Sequence, residues 1–361
     1  MEWVGSVRYG WLRQFVALLL SVSAFRLVPH NYKSQQGENV KRKILLVCAL
    51  VFFIGLTSAL PGHASCGAAF CTLNTHWETQ GAWTGSGMRL DLRYEYIDLD
   101  QPLAGRARVS AGALPRHHDE VRTLNRNLVA TLDYSITSDW GVTAQAPWVE
   151  RRHWHVHNHH GAQLPESWDF SGLGDMRVIA RHRFTGDSES LNARGVIAGL
   201  KLPTGETDVT NADGDLAERT LQPGSGTTDL IAGMYLNGPI NMGAQLATGF
   251  AQAQIQYPLN ARDNFRPGNQ CLLDLGMTYP LSPAWSSLLQ INTQIKDRDR
   301  GGEAEPQDSG GSFVWLSPGL NHALTRAAKI YGFVQLPLYQ RVNGIQLTAG
   351  WTAAAGASWH F

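Results

Sequence analysis

The C-terminal stretch 345–361, IQLTAGWTAAAGASWHF, alternates with a period of two up to its last residue. One face is apolar and consists of Ile345, Leu347, Ala349, Trp351, Ala353, Ala355, Ala357, Trp359 and Phe361. The other face is small and polar and includes Gln346, Thr348, Gly350, Thr352, Gly356, Ser358 and His360. This alternation predicts a β-strand. Strands of soluble sandwiches are rarely so long, whereas a strand that crosses a bilayer needs about ten residues, with aromatic side chains at the interfaces.

The same alternation recurs along most of the chain, and no helical periodicity competes with it. In 285–296, for example, Leu289 and Ile291 alternate with Gln290 and Asn292. Twelve segments carry the pattern: 88–99, 123–134, 140–149, 173–184, 194–203, 226–236, 241–255, 269–279, 285–296, 311–321, 328–339 and 345–361. We therefore predict an all-β chain that forms a transmembrane antiparallel up-and-down β-barrel of about 12 strands over 88–361.

The segments between these strands sort by length. Connections at one end of the predicted barrel are long, such as 100–122 and 150–172, and those at the other end are short, such as 135–139 and 280–284. Bacterial outer-membrane barrels have an even number of strands, short periplasmic turns and longer external loops. The sequence therefore predicts a Gram-negative outer-membrane protein with a periplasmic C-terminus.

The composition agrees with a membrane barrel and excludes other classes. Charged residues make up 17% of the chain, compared with about 25% in soluble domains, and 37 residues are glycine. A mean hydropathy of −0.20 is too polar for a bundle of membrane helices, and 43% hydrophobic residues argue against disorder. A formal net charge of zero argues against general nucleic-acid binding, so we expect no nucleic-acid partner.

Residues 40–64 predict a secretory signal peptide. The basic residues Lys41–Lys43 precede an apolar core, and small residues end the segment, so cleavage is expected after Ala64. A single transmembrane anchor is the alternative, although the apolar run is short for a span. Residues 1–39 are interpreted as an upstream extension that is not translated, because Val40 can be an alternative bacterial start. A genuine second apolar segment within 1–39 is the other possibility.

The segment 65–87 is predicted to be an N-terminal periplasmic or plug segment, and it carries two cysteines. Cys66 and Cys71 lie five positions apart in CGAAFC, where an oxidising compartment allows them to close a small disulfide loop. Metal binding together with His76, or lipid attachment to Cys66, are the alternatives.

Three blocks of sequence resemble a known family. They are GLGDMRVIARHRF at 172–184, GLKLPTGETD at 199–208 and LQPGSGTTDLIAG at 221–233, and they are similar to blocks of the meta-pathway phenol-degradation family of outer-membrane transporters. The terminal Trp359-His360-Phe361 resembles the aromatic end that the barrel-assembly machinery recognises. The resemblance implies an outer-membrane β-barrel that transports small molecules, and it brings no catalytic residues with it.

Charged side chains recur on the polar faces of the predicted strands. Lipid cannot solvate them, so they are expected to point into the barrel. The predicted lumen-lining residues are Arg89, Asp91, Arg93, Glu95, Asp133, Asp175, Arg177, Arg181, Arg183, Lys201, Asp229, Asp274 and Lys296. These side chains either form a polar permeation path whose charges set selectivity, or pair with one another and plug the barrel. Barrels of this strand number lie between filled and open ones, so size does not decide.

Histidines cluster in two segments that the predicted topology places at the same end of the barrel. The cluster consists of His117, His118, His153, His155, His157, His159 and His160. His153, His155 and His157 alternate, so in an extended chain their imidazoles project from one face, about 6–7 Å apart. Neutral imidazole suits Zn²⁺, Cu²⁺ and Ni²⁺, so this loop is a candidate metal site. A solvated polar loop, or histidines that pair with acidic residues at a barrel mouth, is the alternative.

Enzymatic signatures are lacking, since the sequence has no G-x-S-x-G and no P-loop. We therefore expect a channel or transporter for small molecules that requires no cofactor, with zinc, copper or nickel possible at the histidines. The expected partners are outer-membrane lipid, the barrel-assembly machinery and a small-molecule or metal-ion solute. A surface metal-capture or metal-responsive barrel without an open pore is the alternative.

Overall fold

The computed structural model describes residues 87–111, 118–159, 162–184, 193–242 and 246–361. The predicted extension 1–39, the signal peptide 40–64 and the cysteine-bearing segment 65–86 lie outside the described residues, as do His117 and His160. The predictions for the Cys66–Cys71 disulfide and for the N-terminal segment therefore stay predictions.

Strands make up most of the described chain. They are β1 Gly87–Leu99, β2 Gln101–Ala104, β3 Ala107–Arg108, β4 His118–Ser135, β5 Trp140–His159, β6 Ala162–Leu173, β7 Arg177–Arg183, β8 Ala193–Lys201, β9 Asp229–Asn241, β10 Leu246–Pro258, β11 Gln270–Pro280, β12 Trp285–Lys296, β13 Gly311–Ala323, β14 Ala328–Val342, β15 Ile345–Thr348 and β16 Thr352–His360. Two short 3₁₀ turns, Gly302–Ala304 and Pro306–Asp308, precede β13. Across the described residues no helix is both long and apolar enough to cross a membrane.

Twelve strands close into an antiparallel barrel, which confirms the predicted fold. The order around the barrel is β1, β4, β5, β7, β8, β9, β10, β11, β12, β13, β14 and β16, and β16 pairs back onto β1. Strands β6 and β7 share one position, because both pair with β5: β7 with its first part and β6 with its second. A separate small sheet, in the order β15-β2-β3, is built from the first and last long connections.

The two ends of the barrel differ as the connection lengths predicted. At the end that holds Gly87 and Phe361, turns such as 136–139, 281–284 and 324–327 are tight. In each of these three, a hydroxyl accepts a hydrogen bond from the backbone N–H that starts the next strand: Thr137 from Trp140 at 3.0 Å, Ser282 from Trp285 at 3.1 Å and Thr325 from Ala328 at 3.0 Å. Ser and Thr favour such turns. We call this end the short-turn end and the other the long-loop end.

An apolar belt surrounds the barrel. On the outer face of β5 it is bounded by Trp140 and Trp148, both about half exposed. They lie eight positions apart, about 26 Å along the strand, which is close to the length of a tilted strand that spans a membrane. Beyond Trp148 the outward side chains are charged: Glu150 pairs with Arg126 at 3.0 Å, and Arg152 pairs with Asp169 at 3.0 Å. The belt therefore ends near Trp148.

The structure corrects two boundaries. The predicted loop 150–172 is a β-hairpin, because β5 continues to His159 and pairs with β6 beyond the apolar belt. The predicted last strand 345–361 is interrupted: β15 pairs with β2, and only β16 belongs to the barrel. The reason is burial, since Leu347 and Ala349 pack into a cluster with Ile97 and Leu99 at the long-loop end instead of facing outward.

Candidate functional site

The predicted lumen-lining residues lie on the inner faces of the barrel strands or at their ends. Ten of them are buried: Arg89, Asp91, Arg93, Glu95, Asp133, Arg183, Lys201, Asp229, Asp274 and Lys296. The Asp175 side chain is also buried, and Arg177 and Arg181 are half-buried on β7. Arg183 is buried at the short-turn end of the same strand. The barrel interior is therefore charged and polar over much of its circumference.

Opposite charges on neighbouring strands pair inside the barrel. Arg89 lies directly across from Asp133 in the β1–β4 register, and its Nε donates to the Asp133 carboxylate at 3.0 Å. Thr143 of β5 donates to the same carboxylate. On β1 itself, Arg93 donates to Glu95 at 2.9 Å. These pairs compensate charges that are buried inside the barrel.

The three blocks that carried the family resemblance meet in one buried cluster. Lys201 from the second block lies between Asp175 of the first and Asp229 of the third, with Nζ–carboxylate distances of 2.9 Å and 3.3 Å. Ser225 and Thr227, also from the third block, accept hydrogen bonds from the same ammonium. We call these five residues the motif cluster. The sequence indicated the three charged members separately, but not that they bond to one another.

Asp175 fixes both ends of the long connection 202–228. One carboxylate oxygen accepts the backbone N–H of Gly205 at 3.1 Å, and the other accepts that of Ser225 at 2.9 Å. The backbone of Gly205 lies against that of Gly224, so closely that a Cβ on Gly205 would fall 2.5 Å from the Gly224 Cα. Glycine is required at both positions for this contact. The motif cluster thus holds the two ends of the connection 202–228 together.

The connection 202–228 packs against the hairpin of β5 and β6. Arg151 of β5 donates to the carbonyl oxygen of Leu221, and the Trp168 indole N–H of β6 donates to that of Asp215 at 3.1 Å. Gln222 is fully buried and donates to the Ala217 carbonyl at 2.8 Å. These bonds hold the connection rigidly at the long-loop end of the barrel.

Amide side chains form the wall on the other side of the barrel. Strands β10 to β12 and β14 present a set of buried inward-facing amides, the amide wall: Gln252, Gln254, Gln256, Gln270, Gln290, Asn292, Gln294 and Gln335. Asn292 is central to it, because it donates to Gln290 at 2.9 Å and to the carboxylate of Asp274 at 2.7 Å. Amides both donate and accept hydrogen bonds and carry no charge.

The histidines of β5 line the inner face of the hairpin. His153 is fully buried, and its Nδ1 lies 2.8 Å from the Thr123 hydroxyl. His155 Nε2 lies 3.0 Å and His157 Nδ1 lies 3.6 Å from the Glu166 carboxylate of β6. The segment predicted to be a loop is a strand pair, which turns His153 and His155 inward, and the pairing with Glu166 matches the alternative of histidines that pair with an acidic residue.

Of the other predicted histidine ligands, the structure describes only the backbone of His118 and His159. In the backbone register His118 of β4 pairs with His157, and His159 ends β5. Among the described residues, no group of three or more histidine, cysteine, aspartate and glutamate side chains is arranged to hold a metal ion. Burial lowers the pKa of His155, and the bond to Glu166 opposes this shift. At neutral pH the His155 ring is therefore neutral.

Ser225 and Lys201 are in contact, as in enzymes that use a serine nucleophile with a lysine base, but Lys201 cannot act as a base here. The Lys201 ammonium donates to Asp175, Ser225 and Thr227, so it carries no lone pair that could accept the serine proton. Ser225 is fully buried and itself donates to Asp175 at 2.6 Å. The arrangement is that of a structural ion pair.

Comparisons with known proteins support the barrel at the level of fold. No protein-family model matches the sequence, and no curated protein matches it. An outer membrane channel from Pseudomonas putida F1 aligns over 77% of this chain and 96% of its own, with 13% identity and a TM-score of 0.54. The NanC porin aligns over 75% of this chain and 100% of its own, with 9% identity and a TM-score of 0.40. The toluene transporter TbuX of Ralstonia pickettii aligns over 78% and 91%, with 10% identity and a TM-score of 0.38.

The similarity to the P. putida channel shows a shared fold, and the barrel implied by the family resemblance is confirmed to that extent. Together, the closed barrel, its apolar belt and this shared fold place the protein in the bacterial outer membrane. The short-turn end then faces the periplasm and the long-loop end faces the outside.

Proposed function

We propose that the protein is a channel for small polar molecules across the outer membrane. The observation that carries this proposal is the chemistry of the barrel interior, which presents charged pairs on β1 and β4, the motif cluster at the ends of β8 and β9, and the amide wall beyond. A barrel that only anchors a protein in the membrane needs no more than a packed interior. The side chains in this interior can instead exchange hydrogen bonds with a solute that passes through. Because the same side chains bond to one another, we expect a narrow path and small conductances.

Conductance across a planar bilayer tests the proposal directly. We expect small, discrete conductance steps and swelling of proteoliposomes in small sugars. Replacing Asn292 and Gln335 by alanine should increase the conductance several-fold, because these two amides bond to each other at 3.3 Å across the inner face. The change Thr293→Ala, on the outer face of the same strand, is the matched control and should leave conductance unaltered. A barrel that neither conducts nor swells liposomes would refute the channel function.

A second candidate function is metal capture at the β5–β6 hairpin. One observation favours it: two imidazoles, those of His155 and His157, approach the single carboxylate of Glu166 outside the apolar belt. Imidazole and carboxylate are common zinc ligands. This function is compatible with a channel and does not require an open pore.

Zinc titration by calorimetry tests the metal candidate on the folded protein. We expect about micromolar binding at pH 7.5 and much weaker binding at pH 5.5, because zinc binds neutral imidazoles and protons compete with the metal for them. His155→Ala combined with His157→Ala should abolish the heat, whereas His182→Ala on β7 should not. Equal heats at both pH values, or binding that survives the double change, would show that the hairpin histidines are structural.

A further inference from the structure

We infer that two tryptophan–histidine pairs on the outer surface of the barrel bind the phosphate groups of phospholipids in the periplasmic leaflet of the membrane. The first pair is Trp140 with His182, and the second is Trp285 with His322. Phosphate binding at these pairs does not depend on the proposed channel function.

The two pairs have the same geometry on different strands. Trp140 opens β5 opposite His182 of β7, and Trp285 opens β12 opposite His322 of β13. The ring centroids lie 4.3 Å apart in both pairs, with interplanar angles of 30° and 33°. Counted from β1 in the barrel order, the first pair lies on the third and fourth strands and the second on the ninth and tenth. The pairs are therefore six positions apart, on opposite sides of the twelve-strand barrel.

Both pairs lie at the periplasmic edge of the apolar belt. Trp140 and Trp285 follow tight turns of the short-turn end, and each is about half exposed on the outer face. Tryptophan collects at this level of membrane proteins, where its ring contacts apolar groups and its N–H reaches the headgroups. At the other edge of the belt, Trp148 lies opposite Leu128 and Leu173 and not opposite a histidine.

Each pair offers hydrogen-bond donors that the described part of the protein does not use. The Nδ1 atoms of His182 and His322 are buried without a partner, and neither Nε2 atom is bonded within the described residues. The indole N–H groups of Trp140 and Trp285 have no partner there either. With its proton on Nε2, each imidazole therefore has one donor left for a partner outside the protein, beside the donor of the indole.

A phospholipid phosphate matches these two donors. Its ionised oxygens accept hydrogen bonds, and such bonds are about twice as strong as those between neutral groups. The acyl chains of the same lipid contact the apolar belt, since Leu289 and Ile291 follow Trp285 on the same outer face and are exposed. A free phosphate ion gains no such apolar contact, so we assign the site to the lipid.

The surroundings of the second pair favour an anion more than those of the first. The two turns that adjoin the second pair, 281–284 and 324–327, contain no acidic residue, and Arg326 is exposed in one of them. Beside the first pair, the carboxylate of Asp139 precedes Trp140, and Arg194 is exposed at the start of β8. We therefore expect tighter binding at the second pair.

Native mass spectrometry of the protein in detergent tests the inference with two probes. One is phosphatidylglycerol, and the other is a diacylglycerol with the same acyl chains but no phosphate. We expect the protein to retain two molecules of phosphatidylglycerol, one for each pair, and no diacylglycerol at the same concentration. Retention of neither lipid, or of both lipids equally, would overturn the inference without any variant.

Variants assign the bound lipid to the pairs. His182→Phe and His322→Phe each keep a ring against the tryptophan and remove the imidazole nitrogens. Each change should lower the affinity for one of the two lipids about tenfold, the factor expected for a hydrogen bond to a charged group. Trp148→Phe, at the outer edge of the belt on β5, is the matched control and should leave retention unchanged. Undiminished retention in the double histidine variant, or inorganic phosphate bound in place of the lipid, would contradict the assignment.

Discussion

Replacing Lys201 by methionine is expected to destabilise the barrel by about 3–5 kcal/mol, because two buried carboxylates, Asp175 and Asp229, lose their cation. The loss should be local at first. Asp175 also holds Gly205 and Ser225, so the connection 202–228 should become accessible to protease while most of the barrel remains folded. Urea unfolding in detergent and limited proteolysis of the folded protein measure both effects.

Two further variants make this prediction falsifiable. The change Arg262→Met breaks an exposed ion pair with Asp263 near the same connection and should cost only about 0–1 kcal/mol. Adding Asp175→Asn and Asp229→Asn to Lys201→Met removes the uncompensated charges and should recover part of the lost stability. If Lys201→Met unfolds at the same urea concentration as the parent protein, the motif cluster does not hold the connection.

Introducing arginine into the apolar belt should have the other large effect. Ala144 lies on the outer face of β5, midway between Trp140 and Trp148, so Ala144→Arg places a charge near the bilayer midplane. The expected cost is about 2–4 kcal/mol. The measurement is the stability of the protein folded into lipid vesicles, followed by the shift between folded and unfolded bands on unheated gels.

The control uses the same strand and the same outward face. Val156 lies beyond Trp148, where β5 pairs with β6, so Val156→Arg should cost about 0–1 kcal/mol. Comparable losses for Ala144→Arg and Val156→Arg would contradict the position of the belt and would require a different membrane boundary.

Much of this fold can be predicted from the sequence, because lipid outside and polar groups inside impose a strict alternation on every spanning strand. The first barrel strand shows this: Arg89, Asp91, Arg93 and Glu95 are buried, while Leu92 between them is exposed to the outside. The tight turns were also predicted, from the short connections, and the structure shows that Thr137 and its counterparts supply the hydroxyls that such turns use.

Alternation of apolar and polar residues no longer predicts strands correctly where the strand does not contact lipid. In 150–159 the histidines alternate with Trp154 and Val156, which is itself a strand pattern. Both faces are largely polar there, because the hairpin lies outside the apolar belt, and such a composition predicts a loop. The same lack of lipid contact explains why β15 leaves the barrel wall and turns Leu347 inward.

The motif cluster illustrates a different limit. Alternation identifies the face on which Asp175, Lys201 and Asp229 lie, but not which strands become neighbours or in what register. Arg177 lies opposite Lys201, and Lys201 opposite Asp229, only because β7, β8 and β9 pair in one particular alignment. The sequence nevertheless held a signal for the cluster, since each of the three blocks that resemble one family contributes one of its charged residues.

The pairing of the first barrel strand with the last determines the order of assembly. Asp91 of β1 accepts hydrogen bonds from Tyr331 at 2.9 Å and Ser358 at 3.1 Å, partners that lie 240 and 267 residues further along the chain. Contacts of such sequence separation form slowly, and until β16 arrives both β1 and β14 present unpaired backbone edges. The barrel therefore cannot close before its last strand, β16, is available, and until then two strand edges that could pair with another chain stay open.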